Sequence, residues 1–284
     1  NNQSQNGVTR PVNGDTVPGA VCDIGSYEAP LISTLTLLKT VVNNNGGIAV
    51  DTAWTLSATG PIYSISGVEG NAAVTGAAVN AGTYTLSESG PAGYSQTGLV
   101  CSGAADANPA DGLTIAPGEA VTCTYTNDDI APSLTLQKTV INNNGGTALA
   151  TAWTLTATGA GGSPTNLSGT TPVASGGTFK ADTYALAESG GPAGYTATTY
   201  SCVKNGGPAV ISNSITLALG DTATCTITND DIAPSLTLNK TVVNNNGGTA
   251  LATAWTLTAT GTGSSPTNLS GTTPVASAGT FKAD

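Results

Sequence analysis

Leu35-Thr36-Leu37-Leu38-Lys39-Thr40-Val41 alternates like a half-buried strand, with Leu35, Leu37, Lys39 and Val41 on one face and mostly Thr on the other. The pattern returns at residues 134–140 and 236–242, with Lys138 and Lys240 in the same slot. A half-buried strand should not carry a cation among its core residues. The chain has only seven Lys and Arg, so three at one position are a selective use of a scarce residue. An amine buried in hydrocarbon is costly when charged and tends to shed its proton, which makes it a nucleophile.

The lysines are spaced by 99 and 102 residues, the size of one small β-sandwich, so the chain reads as an array. Trp54, Trp153 and Trp255 repeat with it, as do the Asn-Asn-Asn-Gly-Gly loops at 43–47, 142–146 and 244–248. The third repeat stops halfway, and residues 235–284 differ from 133–182 at only five positions, which points to recent duplication and to a parent array that continues. The expected domains are an irregular segment at 1–32, complete sandwiches at 33–131 and 132–233, and the N-terminal half of another at 234–284.

Composition points to an extracellular or cell-surface setting. Charged residues are 8% of the chain, and Met and His are absent. A net charge of −10 argues against nucleic acid and anionic membrane as partners. No apolar run within these residues is long enough to span a membrane, and none reads as a signal peptide. Cys101 and Cys123 match Cys202 and Cys225 in the next repeat, which reads as one disulfide per domain, each worth about 3 kcal/mol. Two thiols per domain without His make a poor metal site. Cys22 has no evident mate.

Short Thr- and Val-rich runs punctuated by Gly, Asn and Pro define an all-β class of tandem, Ig-like antiparallel sandwiches. In repeat one, strands are expected at 34–42, 52–59, 61–66, 72–79, 82–88, 95–101, 112–116 and 120–127. The Pro-containing junctions at 127–133 and 229–235 are too short to be floppy, so the expected array is a rod. Ahead of it, Gly7-Val8-Thr9-Arg10-Pro11 and Gly19-Ala20-Val21-Cys22-Asp23-Ile24-Gly25-Ser26-Tyr27-Glu28 resemble the closing coils of right-handed parallel β-helix surface proteins. That resemblance implies a β-helix region preceding the array.

Two more polar residues fall on inward faces. Alternation aligns Tyr84, Leu86 and Glu88 in one strand, and Cys123, Tyr125 and Asn127 in another; repeat two has Tyr184, Leu186, Glu188 and Cys225, Ile227, Asn229. Each complete domain thus directs an amine, a carboxyl and a carboxamide toward its core. Lys in the first strand, the run Gly82 to Glu88 followed by Gly90-Pro91-Ala92-Gly93-Tyr94, and Asn ending the last strand resemble the prealbumin-like B-type domains of Gram-positive collagen adhesins and SpaA-type pilins. Repeat two carries the same motif, with Asp182 in place of the first Gly. The resemblance implies that Lys39 and Asn127, and Lys138 and Asn229, condense into intramolecular isopeptide bonds, with Glu88 and Glu188 as the acids that permit it. Lys240 is the equivalent without a partner. The plainer alternative is a buried Lys–Glu ion pair beside a hydrogen-bonded Asn.

Without His there is no Ser-His-Asp or Cys-His arrangement, so the chain is not read as an enzyme. Asp128-Asp129 and Asp230-Asp231, beside the Asn-rich loops, are candidate calcium ligands or else solvated linker; no other metal or cofactor is expected. The Asn-Gly loops read as turns that tolerate positive φ, and the Trp residues as core. The functional expectation is a stalk or spacer of a bacterial secreted or surface adhesin-like protein, whose partners are further repeats. The alternatives are an adhesive module for a host protein or glycan, and an accessory region of a β-helix enzyme.

Overall fold

The computed structural model describes residues 31–108, 111–161, 166–262 and 268–284; Cys22 and the stretch resembling a β-helix end lie outside them. The chain divides into two compact units between Ile130 and Ala131.

The first unit contains β1 (Ser33–Val42), β2 (Thr55–Thr59), β3 (Ser64–Gly67), β4 (Ala77–Val79), β5 (Gly82–Ser89), β6 (Tyr94–Ser102), β7 (Leu113–Ile115) and β8 (Ala120–Asp129). They form two sheets, in the orders β4-β1-β8-β6 and β3-β2-β5-β7. The Leu–Leu–Lys face of β1 turns inward, as its alternation dictates, with Leu35, Leu37 and Lys39 all buried. With Trp54, Leu56, Tyr84, Leu113, Val121, Cys123 and Tyr125 the two leucines make one core, each contributing about 1.5–3 kcal/mol by leaving water.

Two features depart from the expected antiparallel sandwich. β1 and β8 are neighbours and run parallel, with Lys39 opposite Tyr125 and Val41 opposite Asn127. Side-chain alternation is the same in either ladder, so the sequence pattern does not distinguish them. The strand expected at 72–79 is reduced to β4, because Asn71 closes a turn with its carbonyl on the Val74 amide and its side chain on the Ala73 amide. A short 3-10 turn at Asp51–Ala53 likewise delays β2.

The second unit opens with β9 (Ser133–Ile141), β10 (Trp153–Gly159), β11 (Leu167–Gly169), β12 (Val173–Ala174) and β13 (Asp182–Gly190). It continues with β14 (Tyr195–Ala197), β15 (Ser201–Lys204), β16 (Ala209–Ile211), β17 (Ser214–Leu217) and β18 (Thr222–Asp231). The sheets are β12-β9-β18-β15-β16, with β14 also on β18, and β11-β10-β13-β17. Again the first and last strands, β9 and β18, are parallel neighbours. Disulfides join Cys101 to Cys123 across β6 and β8, and Cys202 to Cys225 across β15 and β18.

Among the described residues the third repeat supplies β19 (Thr237–Leu238), β20 (Thr256–Ala259), β21 (Leu269–Thr272) and β22 (Val275–Ala276), in two-stranded pairs β19-β22 and β20-β21. Its first strand shrinks to two residues, where β1 has ten. Trp255 is 39% exposed, against 2% for Trp54 and 3% for Trp153. The same sequence therefore packs fully only where a last strand stands beside the first.

Candidate functional site

β1, β5 and β8 bring Lys39, Glu88 and Asn127 to one end of the first core. Lys39 Nζ lies 2.6 Å from Glu88 Oε2, and the lysine side chain is wholly removed from solvent. Nζ also stands 4.7 Å above the Trp54 ring and 5.9 Å from that of Tyr125. Burial pulls the Lys39 amine below its ordinary pKa, and the hydrogen bond and charge of Glu88 offset part of that pull. Asn127 is buried two residues along β8 from the Lys39 register partner, on the same face. Such diagonal neighbours are roughly 7–8 Å apart, within reach of a lysine side chain. Asn127 Oδ1 is buried and accepts no hydrogen bond from the described residues.

Repeat two reproduces each element. Lys138 Nζ is 2.5 Å from Glu188 Oε2 and 4.7 Å above the Trp153 ring, with burial again the leading cause of its lowered pKa. Asn229 lies opposite Val140 beyond Ile227, the partner of Lys138, and its Oδ1 is likewise buried and unpartnered. In repeat three Lys240 keeps its tryptophan, at 4.9 Å, but forms no ion pair among the described residues and is only half-buried.

Chemically, the arrangement holds an amine with reduced affinity for its proton against a carboxyl, beside a carboxamide oxygen that lacks a donor. An unpartnered buried oxygen costs about 1–3 kcal/mol, so a hydrogen-bond donor brought to this oxygen would be favoured.

Sequence reading missed two parts of the surroundings. The first is the hydrogen bonding of the Tyr125 and Tyr200 phenols to the backbone just before Glu88 and Glu188. The second is the role of the junction aspartates. Asp129 Oδ1 accepts the Asn44 and Asn45 amides and Oδ2 accepts the Asn45 and Gly47 amides, at 2.6–2.9 Å. Asp231 does the same with Asn143, Asn144 and Gly146. The Tyr94 and Tyr195 hydroxyls close the same loops, donating to Asn43 Oδ1 and Asn142 Oδ1. A Cβ on Gly47 would sit 2.2 Å from Tyr94 Oη and 2.8 Å from Asp129 Oδ2, which accounts for glycine there.

For Asp129 and Asp231 this replaces the calcium reading, which was made for Asp128, Asp129, Asp230 and Asp231 together. The second carboxylate of each pair is saturated by backbone N–H donors in an anion-binding nest, and no group of three or more potential metal ligands occurs among the described residues. The signal was present in sequence: the alternation Cys123, Tyr125, Asn127 continues to Asp129.

A family model described as a prealbumin-like fold domain matches residues 31–125, 129–227 and 231–283. The chain belongs to this family. Prealbumin-like domains of this kind are structural rather than enzymatic. No curated protein matches the sequence. Among solved structures, the TIE protein of Bacillus anthracis is 15% identical with a TM-score of 0.42; the match covers 78% of this chain and 38% of that one. The major pilin T-13 of Streptococcus pyogenes is 14% identical with a TM-score of 0.33, over 71% of this chain and 97% of that one. The pilus adhesin SpaC of Lactobacillus rhamnosus GG is 16% identical with a TM-score of 0.37, over 70% and 31%. No helix among the described residues is long and apolar enough to cross a membrane.

Proposed function

We propose that these prealbumin-like repeats form a stalk of a bacterial secreted or cell-surface protein, and that each complete repeat closes its own Lys–Asn isopeptide bond. The observation that carries this reading is the repeated trio: a desolvated amine on a carboxyl, beside a buried carboxamide oxygen with no partner. Lys39 Nζ attacks Asn127 Cγ, the new C–N bond forms, the Cγ–Nδ2 bond breaks and ammonia leaves. Glu88, protonated, donates to Oδ1 and carries the proton from the attacking amine to the departing one. Lys138, Asn229 and Glu188 repeat the step. Each domain reacts once, on itself, so the chemistry is self-modification and not turnover.

The parallel pairing of first and last strand gives this bond its mechanical meaning. Tension applied to the ends of a domain enters through β1 and leaves through β8, and a bond from Lys39 to Asn127 carries it past the rest of the sandwich. Further repeats of the same protein are the expected neighbours. A binding role draws on one observation, the aliphatic residue exposed at the same loop position in every repeat: Val50, Leu149 and Leu251 are 61%, 73% and 73% exposed.

Single-molecule pulling with the disulfides reduced tests the covalent stalk. In a cross-linked stalk repeats one and two add no unfolding length. A Glu88→Ala chain releases repeat one in a step of about 300 Å. Steps of that size from both unaltered repeats would refute the covalent stalk.

A further inference from the structure

Repeats one and two exchange an aromatic and an aliphatic residue across the sheet beneath the Lys–Glu pair. In repeat one Leu99 on β6 stands opposite Tyr125 on β8. Counted from the disulfide, two residues before Cys101 and two after Cys123, the equivalents in repeat two are Tyr200 and Ile227. The phenol has moved to the neighbouring backbone of the same sheet.

Its oxygen has not changed its target. Tyr125 Oη donates to the Ser87 carbonyl at 3.2 Å, with the Ser57 carbonyl at 3.4 Å. Tyr200 Oη donates to the Ala187 carbonyl at 3.0 Å. Ser87 and Ala187 are the residues immediately before Glu88 and Glu188. Both rings are buried, at 0% and 1% exposure. Burial, then the charge of the adjacent Glu, raises both phenol pKa values, that of Tyr200 to about 12.

Conservation of core volume explains why one large and one small residue are kept, but Phe would serve that purpose without an oxygen to satisfy. The retained feature is an O–H that ties the sheet of the Lys and Asn to the backbone carrying the Glu. Glu is the one member of the trio on the facing sheet, and sheets pack about 10 Å apart, so their separation at this level sets whether the carboxyl meets amine and carboxamide together. We infer that Tyr125 and Tyr200 are positioning residues for isopeptide formation, each fixing its Glu through the carbonyl of the preceding residue; this rests on the amide-forming reading above.

The test uses cell-free synthesis of the full chain, acid quenching over time, and peptide mapping of ammonia loss in each repeat. In Tyr125→Phe, repeat one should close about ten- to a hundredfold more slowly, while repeat two in the same molecule serves as the clock. Tyr200→Phe should slow repeat two alone. The double change Leu99→Tyr/Tyr125→Ile, which gives repeat one the arrangement of repeat two, should restore the rate. Val121→Ala, a cavity in the same sheet away from the pair, should lower the melting temperature and leave the rate unchanged. Closure of Tyr125→Phe in step with repeat two, failure of the double change to rescue, or equal slowing by Val121→Ala would each overturn the inference. Absence of ammonia loss from both repeats of the unaltered chain would instead refute amide formation itself, and the positioning role with it.

Discussion

Asn127 stands opposite Val41, two residues along β8 from the partner of Lys39 and on the same buried face. Parallel pairing of β1 and β8 creates this diagonal, and the Glu88 carboxyl arrives from the other sheet to contact the amine. Three strands far apart in sequence thus place the amine, carboxyl and carboxamide at one end of the core, and the same placement recurs in repeat two.

Replacing Glu88 with Ala should abolish ammonia loss in repeat one and leave repeat two cross-linked. The variant should fold as a sandwich but melt earlier, since it forgoes the closure of a loop of nearly ninety residues, worth about 4–5 kcal/mol in the chain-entropy model. Calorimetry and repeat-resolved mass mapping check both parts. Continued ammonia loss in repeat one would remove Glu88 from the mechanism.

Asn127→Ala leaves Lys39 a free amine, and its lowered pKa then makes stability depend on pH. Because the unfolded lysine binds its proton up to its ordinary 10.5 while the folded one releases it earlier, the unfolded state holds more protons between those values. Stability attributable to Lys39 should therefore rise with pH through that window. Above about 10 the raised pKa of Tyr125 acts oppositely, since the unfolded phenol ionises first. Urea titrations from neutral pH to 10 should show the rise in the variant; the cross-linked chain, whose Lys39 no longer titrates, should lack that contribution.

Asp129→Ala should strip the acceptor from the amides of Asn44, Asn45 and Gly47, at a cost of about 2–3 kcal/mol. Hydrogen exchange should accelerate at 44–47 and not at the equivalent loop of repeat two. Added calcium should leave the melting temperature of the unaltered chain unchanged.

In a chain ending at residue 284, Lys240 should remain a reactive amine. An acylating reagent should label it in the folded chain while Lys39 and Lys138, as amides, stay unlabelled even after denaturation. A peptide spanning residues 183–231 offers the missing strands, and its Asn229 should form a covalent adduct with Lys240. Failure to form it, under conditions where the complete repeats have cross-linked, would make the Lys240 slot merely structural.

Much of this site was legible because period-2 alternation puts Lys39, Glu88 and Asn127 on inward faces whichever way the strands are ordered. Strand direction was not legible, since β1 and β8 alternate identically in parallel and antiparallel ladders. Asp129 was read as linker because β8 was ended two residues early; the strand runs through it, and its backbone nest depends on a loop more than eighty residues away. The phenol escaped a strand-by-strand reading because it changes position between repeats, and only its acceptor is constant. Trp54 and Trp153 were read as core, which they are, but their faces also stand over the lysine amines.

The most direct test is the mass of residues 33–231 under reducing conditions, followed by proteolytic mapping. Mapping is needed because ring closure at an Asn–Gly also expels ammonia without joining two strands. The account predicts the loss of one ammonia per complete repeat, with branched peptides joining Lys39 to Asn127 and Lys138 to Asn229. An unmodified mass, or ammonia loss confined to the Asn–Gly loops, would contradict it.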